Sequence, residues 1–293
     1  MDGILYTKDR IFGFIQKLGI FMNRHGLSRG AELILRHFPK KNGLVVLTFH
    51  NIPPKNFEDF EKLITRLKKK YSFIDPKKIA EVNQNEKGIK ILLTFDDGFY
   101  SNKLIYEKVL KKLNIKACFF VCEDFIDLKK EKCKNFIRDR FNQNISLQAI
   151  YDGLYYPMGW EDLFNLHLEG NIIGAHTKTH QDLSSIENEY NLLDEIVYSA
   201  DRIEKKLGVS INSFAYPFGK SINLNKKVLG ITKSRFSLAF TNIRGFYHES
   251  LNSHLIYRQN IRPDDLLKIS EIFATGRADW LYKRDQFRLQ KFI

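Results

Sequence analysis

The chain has 293 residues, 43% hydrophobic and 13% aromatic, enough for one large domain or two ordinary ones with a sizeable core. No apolar run reaches the ~18 residues of a membrane-spanning helix, so a transmembrane segment is not expected. Lys8, Asp9, Arg10, Lys17 and Arg24 interrupt any signal-like stretch, which makes the expected location cytoplasmic. The net charge is +13, with +5 in residues 1–42 and +3 in residues 276–293. Both ends are also rich in Phe, Ile and Leu. Basic plus apolar suits an anionic membrane surface better than nucleic acid, so the inner membrane face is an expected place of contact. A lysine-rich solvated surface is the plainer alternative.

In chain order, residues 1–42 read as a basic amphipathic helical extension. Ile11, Phe14, Ile15, Leu18, Phe21 and Met22 recur at helical spacing within 4–38, and Pro39 ends the pattern. A main domain over 43–275 follows, alternating strand and helix. Leu44–Phe49 is a buried strand, 57–69 a helix, Ile91–Phe95 a strand, 101–113 a helix and Ala117–Val121 a strand. Residues 124–158 break the rhythm and read as an insertion. Then come a helix over Trp160–Leu168, a strand over Ile172–Ala175, a long helix over 186–207, a strand over 213–216, a helix over 223–229, a strand over 238–241 and a helix over 264–273. Residues 276–293 form a basic aromatic tail. Short apolar strands alternating with helices predict an α/β fold with a parallel sheet, whose chemistry gathers at the strands' C-terminal ends. The cysteines Cys118, Cys122 and Cys133 are odd in number and lack a CxxC pair, which predicts reduced thiols; Cys118 sits in an apolar run and reads as core.

Two segments fall at such strand ends. Asp96 and Asp97 follow Leu93-Thr94-Phe95, and His176-Thr177-Lys178-Thr179-His180 follows Ile172–Ala175. Adjacent carboxylates repel, so one should find a cation while the other stays available as a base. Asp97, His176 and His180 would give zinc three ligands and leave a position open for water, whose proton Asp96 could accept. Gly98 allows a sharp turn after the pair. Asp-Asp-Gly alone is an ordinary turn and His-x-x-x-His alone one face of a helix; the two together in one α/β pattern make the case.

Here the sequence resembles the polysaccharide deacetylases (carbohydrate esterase family 4, the NodB-homology domain). Thr94-Phe95-Asp96-Asp97-Gly98 matches the first family motif, His176 through His180 the second, and Phe214-Ala215-Tyr216-Pro217-Phe218-Gly219 is similar to the third. The likeness spans about residues 44–270. It implies a distorted (β/α) barrel that hydrolyses an N-acetyl, or less often O-acetyl, group on a sugar. It also implies Asp96 as base, Asp97, His176 and His180 as ligands of a divalent metal (Zn2+, or Co2+, Ni2+ or Mn2+), and the Phe218 N–H as oxyanion donor. The third motif usually begins with an Arg that orients the catalytic Asp; here Ala215 stands there, and Arg258 or Arg262 are the candidates for that task. The usual late Leu-x-His is not clearly present. His50, at the end of the first strand, is similar to the early His of poly-N-acetylglucosamine deacetylases and is the expected general acid, with His254 as runner-up and a structural His50 as the plain alternative.

The expected substrate is an N-acetylated amino sugar of cell-envelope biosynthesis. A sugar on a polyprenyl phosphate is favoured, with a soluble oligosaccharide or nucleotide sugar as alternatives. The rival class is a non-catalytic glycan- or membrane-binding protein that keeps the barrel. Nucleic acid is not an expected partner, because the basic residues are not interleaved with a binding motif.

Overall fold

A computed structural model of the chain describes residues 42–82, 87–141, 143, 146–151, 155–247, 253–262, 267–276 and 279–290. The helix read over 4–38 lies outside them. Strands β1 (Gly43–Phe49), β2 (Ser72–Phe73), β3 (Ile89–Phe95), β4 (Ala117–Val121), β5 (Ile172–Ala175), β6 (Ser213–Ala215), β7 (Leu238–Phe240) and β8 (Gln259–Asn260) all pair in parallel. Their order is β7-β6-β5-β4-β3-β1-β8, with β2 beside the start of β3. The sheet curls on itself: Ile256 bridges Phe240 of β7, and three residues later Gln259 pairs with Leu47 of β1. One short segment therefore touches both edges, and the strands form the distorted (β/α) barrel.

Side chains alternate across each strand, and this sorts the core into two layers. Val45, Leu47, Phe49, Ile91, Leu93, Phe95 and Phe119 face outward under the helices, where they meet Phe60, Leu63, Ile64 and Leu67 of the helix Phe57–Lys68. Leu44, Val46, Leu92, Cys118, Phe120, Ala215, Phe240 and Ile256 fill the interior. Phe120 and Phe240 meet there with ring centroids 5.2 Å apart. The inward parity continues to Thr48, Thr94, Asp96, His176 and Arg258, so the same alternation that builds the inner core delivers polar groups to the barrel mouth.

Helix boundaries differ from the reading of the sequence where side-chain caps intervene. The expected long helix over 186–207 begins at Glu189, because the Asn188 side chain accepts the Asn191 N–H at 3.0 Å. It then passes through a π-helical turn at Asp194–Tyr198 into Ser199–Leu207. The helix expected over 223–229 lies at Lys226–Arg235, capped by Asn225 on the Val228 N–H. The two-residue strands β2 and β8 are too short for a periodic signal. The segment 124–158 contributes helices Lys130–Arg140 and Leu147–Tyr151, and Phe125, Cys133, Ile137, Phe141 and Ile150 form a cluster with Phe99. The helix Lys283–Gln290 packs back on the barrel through buried Leu289 and a 2.7 Å bond from Gln286 to the Arg244 carbonyl. No helix among the described residues is long and apolar enough to cross a membrane.

Candidate metal centre and active site

Register places the site. Phe49 pairs with Phe95 at the ends of β1 and β3, so His50 and Asp96 leave side by side, with the Asp96 N–H on the Phe49 carbonyl at 2.9 Å. Val121 pairs with Ala175, and the next residue, His176, donates its N–H to Val121 at 2.9 Å. These groups crown the C-terminal ends of the strands.

Successive residues on a strand point to opposite faces. Asp97 evades this by taking φ 75°, which brings its carboxylate to the mouth beside Asp96. Among the described residues six non-glycine positions have positive φ, and four of them, Asp97, Thr177, His180 and Phe218, build this site. Each such conformation costs on the order of 1–3 kcal/mol, which the surrounding contacts must outweigh.

Asp97 Oδ1 is buried without a hydrogen-bond partner among the described residues and lies 3.6 Å from Nε2 of both His176 and His180. The Nδ1 atoms lie 2.7 Å from the Ala215 carbonyl and 2.9 Å from the Arg140 carbonyl. A carbonyl only accepts, so each Nδ1 carries the hydrogen and, in the neutral ring, leaves the Nε2 lone pair toward Asp97. Ligand atoms of the three residues all fall within 4.8 Å of one another. An ion about 2.1 Å from two donors holds them about 3.4 Å apart at the tetrahedral angle, so the observed 3.6 Å suits one divalent cation. The orphaned carboxylate oxygen is the observation that a cation would satisfy.

Electrostatics separate the two aspartates' surroundings. Burial pushes the Asp96 carboxyl up, but the Arg258 guanidinium outweighs this, with help from His176, and holds it at about 2. Arg258 is fully buried and grips Asp96 with two bonds of 2.7 Å, while its Nε donates to the Thr241 carbonyl at 2.7 Å and its Nη1 to Thr94 Oγ1 at 3.3 Å. Burial works against charging His176, yet the neighbouring Asp97 and Asp96 carboxylates raise it. Burial and the neighbouring His176 push His180 down to about 4. The cysteines are buried with thiols raised chiefly by burial, in keeping with core positions.

Of the two arginine candidates, Arg258 meets Asp96, whereas Arg262 lines a neighbouring cleft of about 470 Å³ with His50, Asn51, Lys55, Tyr155 and Asn260. His50 Nε2 stands 4.0 Å from Asp96 Oδ2. His254 is at the other end of the barrel: its Nε2 meets the carbonyl of Phe236, which precedes β7, at 2.7 Å, and its Nδ1 meets Ser253 Oγ at 3.1 Å. This argues against His254 as acid. Phe218 sits in a tight turn with φ 58°, and among the described residues none accepts its N–H. Gly219 follows at φ 56°, where a Cβ would come within 2.5 Å of the Asn242 nitrogen, so the turn requires glycine. A second cleft opens beyond His180 and Phe218, lined also by Asp139, Arg140, Gln181 and Asn223.

The sequence reading missed the part that residues 124–158 play here. Besides the Arg140 carbonyl, the Phe141 ring packs edge-on to His180 at 5.0 Å. A backbone carbonyl has no sequence signature; the aromatic spacing of Phe125, Phe136 and Phe141 was the available hint.

The family model described as polysaccharide deacetylase matches residues 83–235, more than half of the chain. The chain belongs to the polysaccharide deacetylase family. Solved structures of similar fold include IcaB from Ammonifex degensii (21% identical, 80% of this chain and 98% of that one, TM-score 0.61), the Bacillus cereus polysaccharide deacetylase BC0361 (21%, 80% and 69%, 0.60) and the BpsB deacetylase domain from Bordetella bronchiseptica (18%, 76% and 98%, 0.59). A curated relative, mouse Syntaxin-19, is 30% identical over 129 residues; the match spans 41% of this chain and less than half, 42%, of that protein. The first two motifs of the polysaccharide deacetylase pattern are the segments that meet at the barrel mouth.

Proposed function

We propose that this chain is a metal-dependent hydrolase that removes the N-acetyl group of an amino sugar, in a glycan or lipid-linked saccharide destined for a surface polysaccharide. The observation that carries the reading is the unpartnered Asp97 Oδ1, 3.6 Å from two imidazole nitrogens and beside a carboxylate locked by Arg258. When bound by Asp97, His176 and His180, a divalent cation supplies Lewis-acid polarisation of the acetyl carbonyl and acidifies water. Asp96 then takes the proton of the attacking water at its carboxylate, which Arg258 keeps ionised and fixed in direction. The Phe218 N–H donates to the oxyanion, a contact worth about 3 kcal/mol. His50, at the mouth, returns a proton to the departing amine, a task that suits an imidazole near neutral pH.

The family supports a carbohydrate deacetylase; the sugar and its carrier are the finer part of the proposal. Lys55 and Arg262 beside His50 give that cleft positive potential, which favours a substrate with a phosphate near the reacting sugar. The basic, apolar ends of the chain favour a lipid carrier at the inner membrane face. The test is acetate release, with a mass loss of about 42 Da per acetyl, from N-acetylhexosamine oligosaccharides and from a polyprenyl-phosphate-linked N-acetylhexosamine. We expect Asp96→Asn to lower turnover about 10²- to 10⁴-fold with metal retained. Near-normal turnover in that variant would overturn the base assignment. No acetate from any acetylated sugar by metal-loaded protein would overturn the activity.

A further inference from the structure

The loop between the two imidazoles contains two left-handed residues, Thr177 at φ 68° and His180 at φ 61°, and the first is β-branched. Such a loop does not hold its shape unaided. Several of its donors run to one buried side chain, while the His180 N–H bonds Thr177 Oγ1 at 2.9 Å and the Lys178 N–H is shared with the Glu195 backbone carbonyl at 3.1 Å. Glu195 accepts the Lys178 N–H at 3.1 Å, the Thr179 N–H at 2.9 Å, the Thr179 hydroxyl at 2.5 Å and the Gln181 amide at 3.2 Å. Glu195 is 4% exposed and stands in the π-helical turn Asp194–Tyr198, a local irregularity of the kind found at functional sites. From the opposite side the Glu123 and Asp124 amides bind the Thr177 and Lys178 carbonyls at 3.1 and 3.0 Å. Arg202 ties the two sides together, reaching Glu123 with two bonds of 2.6 Å and Asp194 at 2.8 Å.

We infer that Glu195 is a positioning residue for the metal centre: its carboxylate shapes the loop that spaces the His176 and His180 rings for one cation. A neutral amide there would offer one acceptor oxygen and turn an NH2 toward donors, so the loop would lose part of its template while both imidazoles remain. The inference rests on the proposed metal site. It differs from a general packing role because it acts through the geometry of His176 and His180.

Zinc affinity, measured by chelator competition on the full chain, is the test, with the visible absorption of the cobalt-loaded protein as the readout of ligand geometry. Glu195→Gln should weaken zinc binding about 10- to 100-fold, the range for losing a group that holds a ligand in place, and shift the cobalt bands. Lys178→Ala keeps the backbone donors and should leave both unchanged. Leu192→Ala, a buried neighbour in the same helical stretch, should lower the melting temperature while leaving affinity within twofold. If Glu195→Gln folds and binds zinc within twofold of the parent with the same cobalt spectrum, the inference is wrong. If it does not fold, Thr179→Val decides, with a two- to fivefold loss in support and an unchanged affinity and spectrum against. If the parent chain itself binds no zinc or cobalt, the metal reading fails first, and this positioning role is overturned with it.

Discussion

Asp96 and Asp97 are the same side chain in adjacent positions with different partners. Asp96 has a guanidinium; Asp97 has two imidazoles and an unsatisfied oxygen. Arg258→Gln tests what the guanidinium contributes. Breaking one partner out of a fully buried ion pair costs about 3–5 kcal/mol, so a large fall in denaturant midpoint is expected. Without Arg258, burial prevails and the Asp96 carboxyl rises. The acid limb of the rate–pH profile should then move up in pH, with activity recovering on the alkaline side. An acid limb that does not move would contradict the pairing. At this scale the sequence was informative for charged side chains, because few residue types can ligate a cation or face a buried carboxylate. It did not separate Arg258 from Arg262, since four residues in a short extended segment leave the side chain's direction open. It gave no sign of the Thr94 hydroxyl and Thr241 carbonyl that hold Arg258, because supporting contacts are made by common residues.

At the scale of elements, the segment 124–158 reads as an interruption yet holds part of the site. Phe141 packs on Phe99, Phe125, Phe136 and His180, and its neighbour Arg140 orients the His180 ring. Phe141→Ala should cost about 3–5 kcal/mol in urea unfolding and also weaken metal binding. Lost stability with unchanged metal affinity would detach this segment from the centre. The Asp194 carboxyl, between Lys178 and Arg202, sits below its usual range: burial raises it, and the hydrogen bonds and charges of those two residues more than compensate. A depressed folded value means its contribution is present above the unfolded value near 4 and fades as pH falls through the folded one. Helix periodicity located the elements themselves well. Their ends were displaced where Asn188 and Asn225 cap, because a cap depends on the local backbone more than on the apolar stripe.

At the scale of the molecule, one alternation does two things. Leu44, Val46, Leu92, Phe120 and Phe240 fill the barrel, and the same parity carried forward gives Asp96 and His176 at its mouth. The parallel α/β sheet was legible because buried parallel strands are short continuous apolar runs, while the barrel was implied by the family resemblance. Its closure was not legible: Ile256-Tyr257-Arg258-Gln259-Asn260 is brief and mostly polar, yet it joins the two edges and brings Arg258 to Asp96. Long-range closure of this kind is set by where the sheet's curl ends, which no local window contains.

Elemental analysis of purified protein, alongside His176→Ala and His180→Ala, asks whether Asp97 and the two imidazoles hold one cation. We expect about one divalent ion per chain for the parent and little or none for either variant, with the fold intact by circular dichroism. Equal metal content in all three proteins would contradict this.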